Sequence, residues 1–223
     1  PSMKLLMILS LVALAAAKTR IIGGEECEVG GVPHQASMRH TGSHSCGAVL
    51  VHGDWVLTAA HCVDGRSPSN IEVLLGAHNR FNDGTLYSID SITMHENFIN
   101  SSPWPNDIAI LELSETADLS DELIDTVDIS SQGVDFPFSG CVISGWGVTT
   151  TGGGSLASDL QCVDTDVITQ DECREYWTSD NQIRDAHVCV FDTVNQATGA
   201  CNGDSGGPLT CSEGLVGLTS WGR

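Results

Sequence analysis

Lysine is nearly absent from this 223-residue chain, which has nine lysine and arginine residues against 29 aspartates and glutamates. Its two lysines, Lys4 and Lys18, precede Arg20, and every acidic residue follows it. From Ile21 onward, six arginines against 29 acidic residues give a net charge of −23. Such a surface repels nucleic acids and anionic membranes, so we expect neither as a partner. Solubility explains this charge most simply; adaptation to a protease-rich fluid, where absent lysines remove cleavage sites, is the alternative.

Long hydrophobic runs are also missing. The apolar run at residues 5–14 is shorter than the roughly 20 residues that a membrane-spanning helix needs. Lys4 precedes it and three alanines follow it, which is the plan of a signal peptide over residues 1–17. A buried N-terminal helix is the alternative. We therefore predict a secreted, extracellular protein.

The nine cysteines include no C-x-x-C pair, which is the spacing usual for zinc sites. In the oxidising compartment that secretion implies, they indicate disulfides, and we expect no metal. The odd number leaves one cysteine without a partner in this chain.

Helical periodicity is scarce after Ile21, and short apolar runs alternate with turn residues. Six runs have strand length: "CGAVLV", "WVLTAA", "IEVLLG", "DIAILEL", "GCVISGWG" and "GLVGLTSWG". This spacing predicts an all-β barrel or sandwich, and periodicity does not decide between them. "AAHC" predicts a brief helical turn, and the acidic stretch at residues 114–135 a connection between two halves.

The segment "ACNGDSGGPL" contains the strongest candidate for chemistry, Ser205. A serine hydroxyl attacks a carbonyl at neutral pH only with a base, an acid that orients the base, and donors for the developing oxyanion. His61 in "LTAAHC" is the candidate base and Asp107 in "NDIAIL" the candidate acid, while Gly203 and Ser205 offer backbone N–H groups. Each is weak evidence alone, and their joint occurrence is strong.

The motifs "TAAHC", "NDIAIL", "GDSGGPL" and "SWG", in this order, resemble those of the trypsin/chymotrypsin family of serine proteases. The resemblance extends over residues 21–223. It implies two six-stranded antiparallel β-barrels, about residues 21–120 and 121–223, with the active site in the cleft between them. It assigns His61 as general base and acid, Asp107 as the group that holds its tautomer, and Ser205 as the acylated nucleophile. Gly203 and Ser205 would form the oxyanion hole.

The resemblance also implies a zymogen. Residues 18–20 match an activation peptide cut after Arg20, and the new Ile21 ammonium would pair with Asp204. Before cleavage, Ser37 with His44 would hold Asp204. The expected partners are protein or peptide substrates, an activating trypsin-like protease and protein inhibitors, and we expect a monomer.

The family pattern implies four disulfides: Cys27–Cys162, Cys46–Cys62, Cys141–Cys211 and Cys173–Cys189. Cys201 remains, and its usual partner would lie after Arg223, together with a further strand and the family's C-terminal helix. We therefore expect this chain to be C-terminally incomplete; a free reactive Cys201 is the alternative.

The expected floor of the primary specificity pocket is Gly199, where trypsin-type enzymes carry an aspartate. Without that carboxylate a cationic P1 side chain lacks an ion pair, so an apolar preference is expected. Trp177 resembles a chymotrypsin-like pocket neighbour, although it would also suit core packing. Trp104 would line the S2 subsite or serve only to fix its loop.

The segment Ser220, Trp221 and Gly222 resembles the strand that pairs with the substrate backbone. Ala77 stands where the calcium loop of trypsins has a carboxylate ligand, so we expect no calcium and no cofactor. Asn100 begins the sequon "NSS" and is a candidate for a glycan near the cleft.

These features predict a secreted serine endopeptidase, activated from a zymogen, that prefers apolar P1 residues; digestion is the usual role of such compact members. A broad-specificity or collagenolytic serine protease is the alternative. A non-catalytic homologue is a third possibility, which the complete set of candidate catalytic residues disfavours.

Overall fold

The computed structural model describes residues 24–131, 137–149, 153–177, 183–191 and 199–222. The predicted signal peptide, Arg20 and Ile21 lie outside these residues. Six antiparallel strands close a barrel in the first half of the chain, in the spatial order β2-β3-β4-β7-β6-β5. They are β2 (Gln35–His40), β3 (Ser43–His52), β4 (Trp55–Thr58), β5 (Ile71–Leu75), β6 (Thr85–Met94) and β7 (Ala109–Leu113).

A second antiparallel sheet follows the order β1-β9-β8-β11-β12, and β10 also pairs with β9. Its strands are β1 (Glu25–Glu26), β8 (Phe138–Gly145), β9 (Gln161–Ile168), β10 (Cys189–Phe191), β11 (Pro208–Cys211) and β12 (Gly214–Leu218). The predicted all-β architecture of two six-stranded antiparallel units is therefore confirmed. The first strand departs from the predicted division near residue 120, because β1 pairs with β9 in the second sheet.

Helix is limited in the described residues to α1 (Ala60–Val63), α2 (Gln170–Tyr176) and one 3-10 turn, Pro68–Asn70. The short helix predicted at "AAHC" is α1. Thr169 and Glu172 form a capping box that begins α2, since each side chain bonds the other residue's backbone N–H. None of the helices in the described part of the chain is long and apolar enough to cross a membrane.

The first barrel has the larger core, and β7 shows how the sequence builds it. Ala109, Leu111 and Leu113 point inward and are buried, whereas Ile110 between them is 39% exposed. This period-two alternation is expected of a strand with one face on the core. Leu111 lies in a cluster with Met38, Leu50, Val56 and Val73, among others.

Contacts between the two units fix the cleft in which the site lies. Val49 and Leu57 of the first barrel form a buried cluster with Leu215 of β12. Ser144 of β8 donates a 2.6 Å hydrogen bond to Gln35 of β2 in the buried interface. These contacts place the edge of one unit against the other.

Four disulfides are present, and they are the pairs implied by the family resemblance: Cys27–Cys162, Cys46–Cys62, Cys141–Cys211 and Cys173–Cys189. Cys46–Cys62 joins β3 to α1, which carries His61. All nine cysteines are described, and Cys201 is the one outside a disulfide.

Replacing Leu111 with alanine should lower the free energy of unfolding by about 3 kcal/mol, because it leaves a cavity in the closed core. Ile110→Ala, one residue along the same strand, removes a similar side chain from a partly exposed position and should cost less than about 1 kcal/mol. Urea unfolding of the disulfide-bonded protein measures both values. Equal losses for the two variants would contradict the assigned core.

Candidate active site

The register of two neighbouring strands brings His61 and Asp107 together. Thr58 ends β4 and lies opposite Ala109, which begins β7. Because the strands are antiparallel, residues just after Thr58 and just before Ala109 meet at the same edge of the barrel. His61 lies on α1, immediately after β4, and Asp107 immediately precedes β7. Residues separated by 46 positions thus become neighbours.

Three hydrogen bonds hold the Asp107 carboxylate, whose side chain is only 3% exposed. The backbone N–H of His61 donates to Oδ1 at 2.8 Å, and His61 Nδ1 lies 2.6 Å from Oδ2. The hydroxyl of Ser220 also donates to Oδ2, at 2.5 Å. Burial disfavours the charged carboxylate, but these bonds outweigh that effect, so the pKa of Asp107 lies below its usual value. The ionised Asp107 accepts a hydrogen bond from Nδ1–H of His61. The proton of the neutral ring is then on Nδ1, and His61 Nε2 is available as a base.

Ser205 lies on a loop that both structural units hold through the backbone. The N–H of Gly47 in β3 donates to the carbonyl of Ser205 at 2.8 Å. On the other side, the N–H of Gly206 donates to the carbonyl of Thr219, next to Ser220. The Sγ of Cys62 lies 3.7 Å from His61 Nε2 and 3.7 Å from the Ser205 carbonyl. The histidine ring and the serine backbone therefore both lie close to the same sulfur atom.

Gly203, the predicted oxyanion-hole residue, has a backbone conformation that favours glycine. Its φ is +100°, and an added Cβ would meet the side chain of Leu156 and the backbone of Gly147. Its carbonyl faces Nε2 of His44 at 3.0 Å, so the carbonyl points away from the nucleophile loop toward the first barrel. The oxyanion donor would be the Gly203 N–H, which belongs to the preceding peptide, so this role stays a prediction.

The Asp204 carboxylate is completely buried beneath this loop. The N–H of Gly147 donates to Oδ1 at 2.7 Å, and the N–H of Cys201 donates to Oδ2 at 2.8 Å. Burial raises the pKa of Asp204 to about 6, although these two hydrogen bonds act in the opposite direction. An added Cβ at Gly147 would collide with the carboxylate. No cation of the described residues pairs with this buried carboxylate, which is suited to accept one.

His44 and Ser37, the predicted zymogen partners of Asp204, are bonded to each other. Ser37 Oγ lies 2.7 Å from His44 Nδ1. Because a carbonyl only accepts, the proton of the neutral ring lies on Nε2, which faces Gly203. Burial lowers the pKa of His44 to about 4, so the ring is neutral at pH 7. In the described residues His44 thus bonds Gly203 and not the Asp204 carboxylate; the zymogen contact stays a prediction.

The predicted substrate-binding residues lie partly together. The rings of Trp177 and Trp221 meet edge to face with centroids 4.8 Å apart, beside the buried Cys173–Cys189 disulfide. Trp177 therefore packs against the core and the expected substrate strand at once. Within the described ranges, no atom lies within 4 Å of a Cβ added at Gly199 or Gly222.

Trp104 lies in the loop before Asp107 with φ +48°, a conformation rare outside glycine, and its N–H bonds the Ser101 carbonyl at 2.7 Å. The sequon residue Asn100 in that loop donates to Asp64 at 2.7 Å. No described contact joins Trp104 to Gly199, so its place in the S2 subsite stays a prediction.

The group Cys46, His61 and Cys62 has the proximity of a metal site. Its two sulfurs are bonded to each other and His61 Nδ1 bonds Asp107, so no thiolate is available there. At the loop that follows Ala77, the guanidinium of Arg80 donates to the Ala157 carbonyl at 2.6 Å.

Ser220 has a function that the sequence did not reveal. The sequence suggested a role in binding the substrate backbone, whereas its hydroxyl also fixes Asp107 from the second sheet, 113 residues away. In the sequence, the position of Ser220 directly before "WG" was the one indication of a role for this residue. Its hydrogen bond to Asp107 is identified only by the folded structure.

The arrangement matches known proteins. The family model described as Trypsin matches residues 21–223. A fibrinolytic enzyme, isozyme C, of Lumbricus rubellus is 42% identical over 212 residues, which cover 90% of this chain and 87% of that protein. A trypsin of Xenopus laevis is 37% identical over 226 residues, covering 99% of this chain and 88% of the relative. The solved structure of neuropsin, a serine protease expressed in mouse brain, aligns with a TM-score of 0.79 at 30% identity, covering 90% and 86% of the two chains.

The two-unit β fold with this histidine, aspartate and serine defines a serine endopeptidase, a hydrolase of peptide bonds. The chain belongs to the trypsin family.

Replacing Ser220 with alanine should lower kcat/KM for peptide hydrolysis by about 10-fold, because hydrogen bonds to charged groups contribute about 1.5–3 kcal/mol. Ser212→Ala is the matched control, since the exposed Ser212 hydroxyl bonds only Glu213. Steady-state kinetics on one peptide compare the two variants. Full activity in Ser220→Ala would show that Asp107 needs only His61.

Proposed function

We propose that this protein is secreted as a zymogen and, after cleavage behind Arg20, hydrolyses proteins on the carboxyl side of apolar residues. The observation that carries the chemistry is the buried, ionised Asp107 bonded to His61, with both His61 Nε2 and the Ser205 carbonyl 3.7 Å from Cys62 Sγ. The four disulfides and the apolar run at residues 5–14 support secretion.

The mechanism begins with attack of Ser205 Oγ on the scissile carbonyl. A C–O bond forms, the serine proton moves to His61 Nε2, and the oxyanion accepts hydrogen bonds from the N–H groups of Gly203 and Ser205. Asp107 stabilises the imidazolium that results. The C–N bond then breaks and His61 gives its proton to the departing amine. Water, deprotonated by the same ring, hydrolyses the acyl-enzyme and restores Ser205.

The apolar P1 preference rests on Gly199. At that position no atom of the described residues lies within 4 Å of an added Cβ, and glycine itself brings no charge. An arginine that entered there would lose its hydration without gaining an ion pair. An apolar side chain has no such cost.

A second candidate is a broad-specificity protease. Gly199 has no side chain that would select a charged or an apolar P1 residue. The relative from Lumbricus rubellus is named a fibrinolytic enzyme. This candidate differs from the first in its P1 profile, because it would cleave after basic and apolar residues at comparable rates.

A peptide series that differs only at P1 separates the two candidates. We expect full-length protein, activated by trypsin and freed from it, to cleave after Phe and Leu at least about 10-fold more efficiently than after Arg. Ser205→Ala should abolish both the hydrolysis and the covalent labelling by a fluorophosphonate. Dominant cleavage after Arg would refute the apolar preference, and unlabelled wild-type protein would refute the enzyme mechanism.

Activation should be visible in the titration of Asp204. In an Arg20→Gln precursor, the carboxyl carbon NMR signal of Asp204 should titrate with a pKa near 6. After cleavage the Ile21 ammonium would favour the carboxylate, so the pKa should fall below about 4 as peptidase activity appears.

Lys18→Gln is the control, because it removes a charge from the activation peptide and retains the cleavage site. Asp204→Asn assigns the signal. An Arg20→Gln protein as active as the processed one, with the same Asp204 pKa, would contradict the proposed activation.

A further inference from the structure

Three arginines of the first barrel carry positive charge that no nearby carboxylate neutralises. Among the described residues, Arg39, Arg66 and Arg80 have no carboxylate oxygen within 4.0 Å of a side-chain nitrogen, whereas Arg174 lies near both Asp171 and Asp185. Uncompensated cations are unexpected in a chain of net charge −20, where acidic partners are abundant. We call these three residues the arginine cluster.

The arginine cluster surrounds one end of β3. Arg39 lies opposite His44 in the β2–β3 register, and Arg66 Nη1 donates to Ser45 Oγ at 3.0 Å. Burial and the nearby charges of Arg80 and Arg39 lower the pKa of His44, so both arginines lie near that ring, and burial together with Arg39 lowers the pKa of Arg80. His44 bonds the carbonyl of Gly203, so the cluster borders the expected oxyanion hole.

Neutral groups hold the arginines in place. Arg80 donates to the carbonyls of Leu156 and Ala157 and lies 4.0 Å above the exposed ring of Phe81. Arg39 donates to the carbonyl of Gly42, and its buried Nε has no partner. Glu72 lies opposite Arg39 across β5 but makes no ion pair with it. Because guanidinium groups stay protonated, the positive charge remains and N–H donors are left for a ligand.

The direction of a bound substrate determines which part of it meets this cluster. The acyl portion is expected to run along residues 220–222 in the second unit. The departing portion must then continue past Ser205 toward the Cys46–Cys62 disulfide and β3, where Gly47 bonds the Ser205 carbonyl. The arginine cluster lies at that end of β3.

We propose that Arg39, Arg66 and Arg80 form a subsite for acidic side chains on the leaving side of the substrate, at P1′ to P3′. This subsite rests on the proposed function, because it requires hydrolysis at Ser205. The cluster opposes the repulsion that the acidic protein as a whole exerts on acidic peptides. At an ionic strength of about 0.1 M, charges beyond about 10 Å are largely screened, so the neighbouring arginines dominate.

Quenched fluorescent peptides test the subsite. All share one acyl portion with Leu at P1, and their P1′ to P3′ residues are Ala-Asp-Asp, Ala-Ala-Ala or Ala-Lys-Lys. In about 20 mM NaCl, activated protein should cleave the Asp peptide about 10-fold more efficiently than the Lys peptide, chiefly through KM. In about 0.5 M NaCl the ratio should fall toward about twofold.

The Arg39→Gln and Arg66→Gln variants should each reduce the ratio of cleavage efficiency between the Asp peptide and the Lys peptide by about threefold. Both variants should still cleave the Ala peptide. Arg174→Gln is the matched control, because it removes an arginine that already has acidic neighbours on α2, and it should leave the ratio unchanged. Thermal unfolding verifies that all variants fold.

Equal cleavage of the Asp and Lys peptides by wild-type protein, with Ser205 still labelled by a fluorophosphonate, would refute the subsite and leave the proposed function intact. An equal loss of ratio in Arg174→Gln would also refute it, since the effect would then come from net charge. Absence of cleavage of all peptides together with absence of labelling would refute the proposed function, and the subsite with it.

Discussion

The completely buried carboxylate of Asp204 is the interaction on which the geometry of the nucleophile loop depends. An aspartate removed from water requires donors on both oxygens, and here the N–H groups of Gly147 and Cys201 provide them. The Gly147 bond ties Asp204, which lies between Gly203 and Ser205, to the segment after β8, and the Cys201 bond closes the serine loop on itself. The loop cannot move without exposing a charge or leaving two amides unpaired. Both outcomes cost free energy, so the loop that carries the Ser205 hydroxyl is held rigidly.

The first barrel completes this support from the opposite side. Its β3 contributes the Gly47 amide to Ser205 and the His44 ring to Gly203, while β4 and β7 place His61 and Asp107 at the same rim. These contacts use backbone groups and the mostly buried side chains of His44, His61 and Asp107, so the positions of the candidate catalytic groups depend on strand register. Surface loops determine little of the triad geometry, which leaves them available for selecting substrates.

The sequence predicted those strands that are marked by short apolar runs. All six strand-length apolar runs contain strands. Each run is either continuously apolar or alternates apolar with polar residues over the length of a strand. The sequence did not predict β6 or β9. Neither strand has a continuous apolar run, because serine, threonine and aspartate alternate with the buried residues in "TLYSIDSITM" and "QCVDTDVI", and in β6 a register shift between Ile89 and Ser91 interrupts the alternation. The helix α2 was also missed, although Thr169 and Glu172 have the spacing of a capping box.

For the site, the catalytic candidates could be named because their motifs are short and chemically unusual. The partners that depend on chain folding could not be named. Ser220 reaches Asp107 across 113 residues, and the arginine cluster joins three residues from separate loops and strands. The register of β2 with β3 places Arg39 beside His44, and the packing of the second unit against the first brings Ser220 to Asp107.

The support of Ser205 from both units has a consequence for the cell that makes the protein. A ribosome completes the first barrel, with its histidine and aspartate, before it adds residue 205. The serine loop then gains its shape only when residues 145–147 and the strand carrying Gly47 have docked around it. Any chain that ends before residue 205 lacks the proposed nucleophile, so the order of synthesis delays assembly of the proposed catalytic centre until the second unit is being made.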